Sequence, residues 1–165
     1  MIERNNLRKT TLLFLIKEEK GSIKEICLAM KKRGFGKGRW NGVGGKVEEK
    51  ERVEDAVIRE TREEIDVLVK EMKKVAELSF YFPYNSSFNQ KVYVYFSSLW
   101  EGEPVESEEM SPKWFNINQI PYEEMWSDDP FWLPKVLEKK ILKAIFKFRE
   151  NDIVEYKDIN IINSF

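Results

Sequence analysis

The chain has 165 residues, 42% of them hydrophobic, and 28 Lys and Arg set against 29 Asp and Glu give a net charge of −1. This is the size of one folded domain with enough apolar content to fill a core, and its near-neutral charge disfavours a dedicated binder of nucleic-acid polymers. The absence of histidine and the single cysteine, Cys27, exclude Ser-His-Asp and Cys-His catalysis, imidazole zinc sites, intrachain disulfides and iron–sulfur clusters, so a metal here must take oxygen ligands.

Residues 1–9 are polar and read as no signal peptide, and no stretch is long and apolar enough to span a membrane. The expectation is a reduced, cytoplasmic protein. Residues 11–16 (TLLFLI) and 25–30 (EICLAM) read as paired buried strands, with a turn near residues 19–22. A basic, glycine-rich loop follows over residues 31–45, and then a charged helix over about 51–65. Residues 74–84 and 91–100 read as longer strands joined by a turn over 83–87, and 113–116 as a short strand. Asp129 followed by Pro130 marks a helix start, with Asp129 as the N-cap and the helix reaching about residue 142. Residues 144–148 and 153–156 close the chain as a hairpin. The order lacks regular βαβ alternation. It predicts an α+β fold, a mixed β-sheet sandwiched between α-helices, as one domain over residues 1–165.

The first helix is unusual. At 100° per residue, Val53, Ala56 and Val57 form an apolar stripe, and Glu60, Glu63 and Glu64 continue it. Ile58 and Ile65 fall roughly opposite, which predicts a second packed layer there. Three like charges on a half-buried arc repel and lose hydration, and a hard cation such as Mg²⁺ relieves both costs. The alternative is a solvated acidic helix whose ion-pair partners are Arg59 and Arg62.

Three other groups stand out. Lys31, Lys46 and the backbone N–H groups near Gly44 and Gly45 suit phosphate, since glycine lets the backbone approach closely. Lys32 and Arg33 read as ordinary solvated charge. Trp126, Ser127, Asp128 and Asp129 place an indole beside two adjacent carboxylates, and Asn41 adds an amide. Two close acids do not both ionise cheaply, so one stays protonated and the pair both donates and accepts along the edge of a flat base. The plainer alternatives are a core tryptophan and an N-cap aspartate. Phe80, Phe82 and Tyr84 alternate at strand spacing and read as core, with Phe80 also facing a pocket. Cys27 reads as an inert buried thiol.

Gly45, five residues, Glu51, seven residues and then Arg59-Glu60-Thr61-Arg62-Glu63-Glu64-Ile65-Asp66-Val67 resemble the Nudix box in spacing and in every charged position. Thr61 replaces an aliphatic residue. Asp66 replaces the glycine that ends the helix in a left-handed conformation, which aspartate tolerates at modest cost. Residues 30–47, 104–110, 114–115, 125–132 and 146–148 are similar, in the same order, to the oxidised-purine branch of the MutT-like Nudix hydrolases. The likeness runs over residues 11–159 and is weakest at the first hairpin and at 84–91.

The resemblance implies the Nudix fold and Mg²⁺, or Mn²⁺, held by Glu60, Glu63, Glu64, Glu109 and the Gly44 carbonyl. It implies Glu64 as general base or water-orienting group. Arg59 joins the catalytic set by bracing loop and helix together with Glu51. Thr11, Lys31, Asn41, Val43, Gly44, Gly45, Lys46, Phe80, Trp126, Ser127, Asp128 and Asp129 fall at substrate-binding positions, with Phe82 lining the pocket. The implied reaction is water attack at the β-phosphorus of oxidised purine nucleoside triphosphates such as 8-oxo-dGTP and 2-hydroxy-dATP. It releases the monophosphate and pyrophosphate and cleanses the nucleotide pool. The implied protein is a monomer with a nucleotide substrate and no nucleic-acid or membrane partner. The rival readings are a Nudix hydrolase of ADP-ribose, dinucleoside polyphosphates or methylated purine nucleotides, and a catalytically silent binding module.

Overall fold

The computed structural model describes residues 7–165, so the expectation of a polar, non-leader segment over residues 1–9 lies largely outside the described residues. The elements are β1 (Arg8–Glu19), β2 (Ser22–Lys31), β3 (Trp40–Asn41), α1 (Val53–Ile65), β4 (Leu68–Tyr81), β5 (Gln90–Glu101), β6 (Met110–Asn116), α2 (Asp129–Leu137), β7 (Ile141–Arg149) and β8 (Ile153–Ile162). The strands join in the order β3-β2-β1-β5-β4-β7-β8, and β6 also pairs with β2. β1 runs parallel to β5, and β4 parallel to β7, while the other pairings are antiparallel. No described helix is long and apolar enough to cross a membrane.

The mixed sheet carries one helix on each face. Even-numbered β1 residues Phe14 and Ile16 pack with Trp132, Leu133 and Val136 of α2. Odd-numbered Leu13 and Leu15 pack with Val57 and Ile65 of α1. Strand alternation thus divides one continuous apolar run between two cores. Each fully buried aliphatic side chain contributes about 1.5–3 kcal/mol.

The first hairpin extends beyond both predicted ends, to Arg8–Glu19 and Ser22–Lys31. Lys20 (φ 53°) and Gly21 (φ 80°) form its two-residue turn, where a left-handed pair matches the strand twist. β4 begins at Leu68 rather than residue 74, since shifts in its register with β5 absorb the polar run before Val75. β6 begins at Met110, three residues before the predicted start.

α1 begins at Val53, two residues inside the predicted start, and ends where expected. Asp66 adopts the left-handed conformation (φ 56°, ψ 40°), and its N–H donates to the Arg62 carbonyl at 3.1 Å. Thr61 is fully buried, and its hydroxyl donates to the Val57 carbonyl at 2.7 Å. The polar atom is thereby satisfied inside the helix. The second layer expected at Ile58 and Ile65 is not there: both pack on the same core as Val57. Glu63 also leaves the half-buried arc, with a side chain 59% exposed.

α2 differs most from its sequence reading. It stops at Leu137 instead of about residue 142. Lys139 is left-handed (φ 67°), and Leu142 is fully buried opposite Ala76 in the sheet, so pairing of β7 with β4 takes the residues a longer helix would use. Asp128 occupies the N-cap position, with helical angles and no capping hydrogen bond, while Asp129 is the first helical residue. The expected N-cap role for Asp129 is therefore incorrect.

Candidate active site

One cavity of about 480 Å³ opens where β1, the glycine-rich loop, α1 and the start of α2 meet. Thr11, Lys31, Asn41, Gly44, Gly45, Lys46, Phe80, Trp126, Asp128, Asp129, Glu60, Glu64 and Glu109 line it. Val43, Ser127, Arg59 and Glu63 do not. Val43 exchanges backbone hydrogen bonds with Leu13 and turns its side chain into the α1-side core. Ser127 donates to the Asp152 carbonyl at 2.7 Å, away from the cavity. The structure thus keeps these two residues, expected at substrate-binding positions, out of the cavity lining.

The glycine-rich loop runs antiparallel beside the first half of β1, with Thr11 N–H donating to the Gly45 carbonyl at 2.9 Å. The contact is too close for side chains. A Cβ at Gly44 would lie 1.8 Å from the Thr11 carbonyl oxygen, and one at Gly45 would lie 2.5 Å from Glu60 Cδ. Gly44 N–H donates to Glu64 Oε2 at 3.2 Å. The two glycines thus let loop backbone press against β1 and against the helix carboxylates.

Arg59 ties this corner together. Its Nε and Nη2 donate to the two oxygens of Glu51 at 2.8 and 3.0 Å. Nη2 also donates to the Lys46 carbonyl at 3.0 Å, and Nη1 to Glu60 Oε1 at 2.8 Å. The bidentate pairing holds Glu51 down to about 2 and raises the guanidinium further. Burial raises Glu60 despite its Arg59 partner. Glu64 is buried, and burial followed by the Glu60 charge pushes it up to about 8, against lowering by the Gly44 N–H and Lys31.

Among the described residues no three carboxylate or thiol groups converge as a ready-made cation cage. Glu60 faces Arg59, Glu63 lies 3.4 Å from Arg59, and Glu109 accepts from Arg33 at 3.1 Å. Arg33 is thus a partner of Glu109, and Lys32 pairs with Glu106 and the Ser107 carbonyl, so neither is merely solvated charge.

The other end of the cavity is aromatic and acidic. Trp126 sits among Phe35, Phe82 and Phe148, with ring centroids 4.9, 6.1 and 6.0 Å away. Asp128 and Asp129 are each only 2% exposed. Trp132 Nε1 donates to Asp128 Oδ2 at 2.8 Å, whereas Asp129 Oδ2 is buried with no partner among the described residues. Burial raises both carboxyls, and the Asp128 charge raises Asp129 further. One proton held between them turns an acceptor-only pair into one that donates and accepts.

The sequence reading missed Thr10, Phe35, Arg39 and Gln90, which also line the cavity. Thr10 Oγ1 donates to Gln90 Oε1 at 2.9 Å across the parallel β1–β5 pair. Thr10 lies one residue before the strand read from the sequence, and nothing local pointed at Gln90.

The model of the NUDIX domain matches residues 6–136. The chain is 43% identical over 140 residues to the oxidized purine nucleoside triphosphate hydrolase of Mus musculus, covering 85% of this chain and 89% of that one. It is 44% identical over 133 residues to the protein of the same name from Danio rerio, covering 80% and 85%. A mutator MutT protein from Bacillus halodurans has the same fold, with a TM-score of 0.80, 20% identity and coverage of 93% of this chain and 98% of that one.

Proposed function

The chain belongs to the NUDIX family, and from that premise we propose that it hydrolyses oxidised purine nucleoside triphosphates, such as 8-oxo-dGTP and 2-hydroxy-dATP, to the monophosphate and pyrophosphate. The mouse and zebrafish relatives carry that substrate class in their names. The observation that carries the reading is the partnerless Asp129 oxygen beside Trp126, in the same cavity as Glu60 and Glu64. A buried polar atom without a partner costs about 1–3 kcal/mol, which a polar group of a bound base recovers.

The base end takes a purine by its face on Trp126 and by its edge on Asp128, Asp129 and Asn41. The Asp pair reads N–H and C=O groups together, which suits an oxidised purine whose tautomers rearrange them. Lys31 and Lys46 receive the phosphates, lysine acting as a compact charge, while the Gly44 and Gly45 N–H groups, expected as phosphate donors, are taken by Glu64 and Thr11.

The donor set fits a hard divalent cation. Glu60 and Glu64 are carboxylates whose charged forms are opposed by burial, and with Glu109 and the Gly44 carbonyl at the same cavity they offer only oxygen; Glu63, outside the lining, would have to turn inward to join them. Bound Mg²⁺, or Mn²⁺, supplies charge neutralisation for the triphosphate and a more acidic attacking water. Arg59 holds Glu60 and the 46–51 loop in register through its Glu51 fork. Glu64, held against the loop by the Gly44 N–H, takes the proton of the water that attacks the β-phosphorus. The enzyme acts as a monomer in the cytoplasm and keeps oxidised purines out of the nucleotide pool.

The test measures pyrophosphate release with Mg²⁺ from 8-oxo-dGTP, 2-hydroxy-dATP, dGTP and dATP. ADP-ribose is followed by chromatography of AMP, since it yields no pyrophosphate. Preference for an oxidised purine supports the reading. Cleavage of ADP-ribose alone replaces the substrate, and silence on every compound replaces the catalyst by a binding module.

A further inference from the structure

The turn between β7 and β8 stands behind the base end of the cavity and touches residues around it through one side chain. Asp152, left-handed at φ 57°, accepts from Arg39 Nη1 at 2.9 Å through Oδ2 and from the Tyr84 hydroxyl through Oδ1. Its carbonyl accepts from Ser127 Oγ at 2.7 Å, and Ser127 Oγ in turn accepts from Val154 N–H at 3.1 Å. The Arg39 guanidinium carbon lies 4.1 Å from the centroid of the Trp126 ring. Asp152 therefore grips Trp126 twice: through the guanidinium on the indole, and through the hydroxyl of the next residue in the chain.

We propose that Arg39, carried by Asp152, is a positioning residue for the base site, fixing the plane of Trp126 so that a purine meets a preset aromatic face. This rests on the reading of Trp126 as part of the base site. A planar guanidinium offers a flat face to the indole and, at the same time, N–H groups along its edge to a carboxylate. A lysine ammonium has no flat face and does not do both. Arg39 and Asp152 are 113 residues apart, so the pair also joins the glycine-rich loop to the last hairpin. Side chains 30% and 27% exposed make it a partly shielded contact rather than a solvated one. The carboxylates near Arg39 are Asp152 on the hairpin and Asp128 and Asp129 at the start of α2. Removing the arginine therefore also removes a positive charge from the acid pair.

The experiment compares Arg39→Met, Arg39→Lys, Asp152→Asn and the Arg39→Met/Asp152→Asn double variant with wild type. Two readouts are used. The first, without nucleotide, is the emission contributed by Trp126, obtained by subtracting the Trp126→Phe form of each protein. The second is KM and kcat for 8-oxo-dGTP with Mg²⁺. Arg39→Met is expected to shift the Trp126 emission and raise KM about tenfold, with kcat changed less than about twofold. Asp152→Asn is expected to raise KM about threefold, the scale of a partly exposed ion pair. The double variant is expected to match Arg39→Met, because the aspartate acts through the arginine. Arg39→Lys is expected to recover only part of the loss.

Unchanged Trp126 emission in Arg39→Met and Asp152→Asn overturns the proposal, as do effects on KM that multiply in the double variant. Asp152→Asn keeps the shape of the turn and stays informative if Arg39→Met folds poorly. A shifted emission in proteins whose wild type cleaves no oxidised purine triphosphate leaves the clamp standing and overturns the substrate reading alone.

Discussion

The two adjacent glycines of the loop give opposite predictions, because a methyl group at each meets a different kind of neighbour. At Gly45 the added Cβ falls 2.5–2.7 Å from the carboxyl atoms of Glu60, the free end of a flexible side chain. Glu60 can swing aside for less than about 1 kcal/mol, which for a chain of this length moves Tm by no more than about 4 °C. Its carboxylate is then displaced from its place between Arg59 and the loop. A misplaced metal ligand or its support lowers metal affinity by about 10–100-fold. Gly45→Ala is therefore expected to fold normally and to need much more Mg²⁺ for half-maximal activity. At Gly44 the added Cβ falls 1.8 Å from the Thr11 carbonyl oxygen, which is backbone within a strand. Gly44→Ala must push the loop off β1, at a cost of about 1–3 kcal/mol or more. Its main effect is a fall in Tm of several degrees. The assay pairs thermal unfolding with an Mg²⁺ titration of pyrophosphate release. A Gly45→Ala protein with wild-type Mg²⁺ dependence refutes the placement of Glu60 among the metal ligands.

Glu64→Gln is expected to cut turnover by about 10²–10⁴-fold with Tm unchanged or raised, since the buried carboxylate is lost. A folded, active variant removes Glu64 from the proton-accepting role. Asp128→Asn is expected to weaken binding of 8-oxo-dGMP far more than that of Mg²⁺, and unchanged nucleotide affinity contradicts the base-site assignment. Asp128 and Asp129 hold protons in the folded protein at pH values where the unfolded chain has released them, because burial raises both. The folded state then binds more protons, so stability falls as pH climbs from the ordinary carboxylate range through the raised values. Asp129→Asn should flatten that fall in Tm above the ordinary carboxylate value of about 3.9; parallel Tm profiles in variant and wild type count against the shared-proton picture. Cys27, pushed up to about 12 by burial, should react with a thiol reagent only after unfolding. Rapid labelling of the native protein contradicts its burial.

What the sequence revealed and what it concealed divide along the range of the interactions. The helix end at Asp66 was readable because a left-handed C-cap depends on the residue itself and on the turn before it. The Arg59–Glu51 brace was readable because both partners lie in one motif of fixed spacing. Val43 and Ser127 carried the same kind of motif signal, but side-chain direction is set by pairing with Leu13 and Asp152, which no spacing reveals. The length of α2 was misjudged for a related reason. Residues 138–142 have helical composition, yet Leu142 is worth more as a buried member of the sheet. Arg39 with Asp152 and Thr10 with Gln90 meet only after folding, across 113 and 80 residues. Each of those four residues is unremarkable in its own neighbourhood.

Thr10 and Thr11 are consecutive on β1, and their side chains serve opposite sides of the sheet. One faces the aromatic, base-reading end through Gln90; the other lies against Gly45 beside the carboxylates. A single strand thus acts as a ruler between recognition and bond breaking, graduated by the pleat. Two consequences follow for how such a protein can change. Residues of the base end can be exchanged to suit another nucleobase while those under the phosphates stay as they are, because alternate positions belong to different halves. A slip of one residue between β1 and β5 would instead interchange the halves at a stroke, so this pairing tolerates substitution far better than insertion.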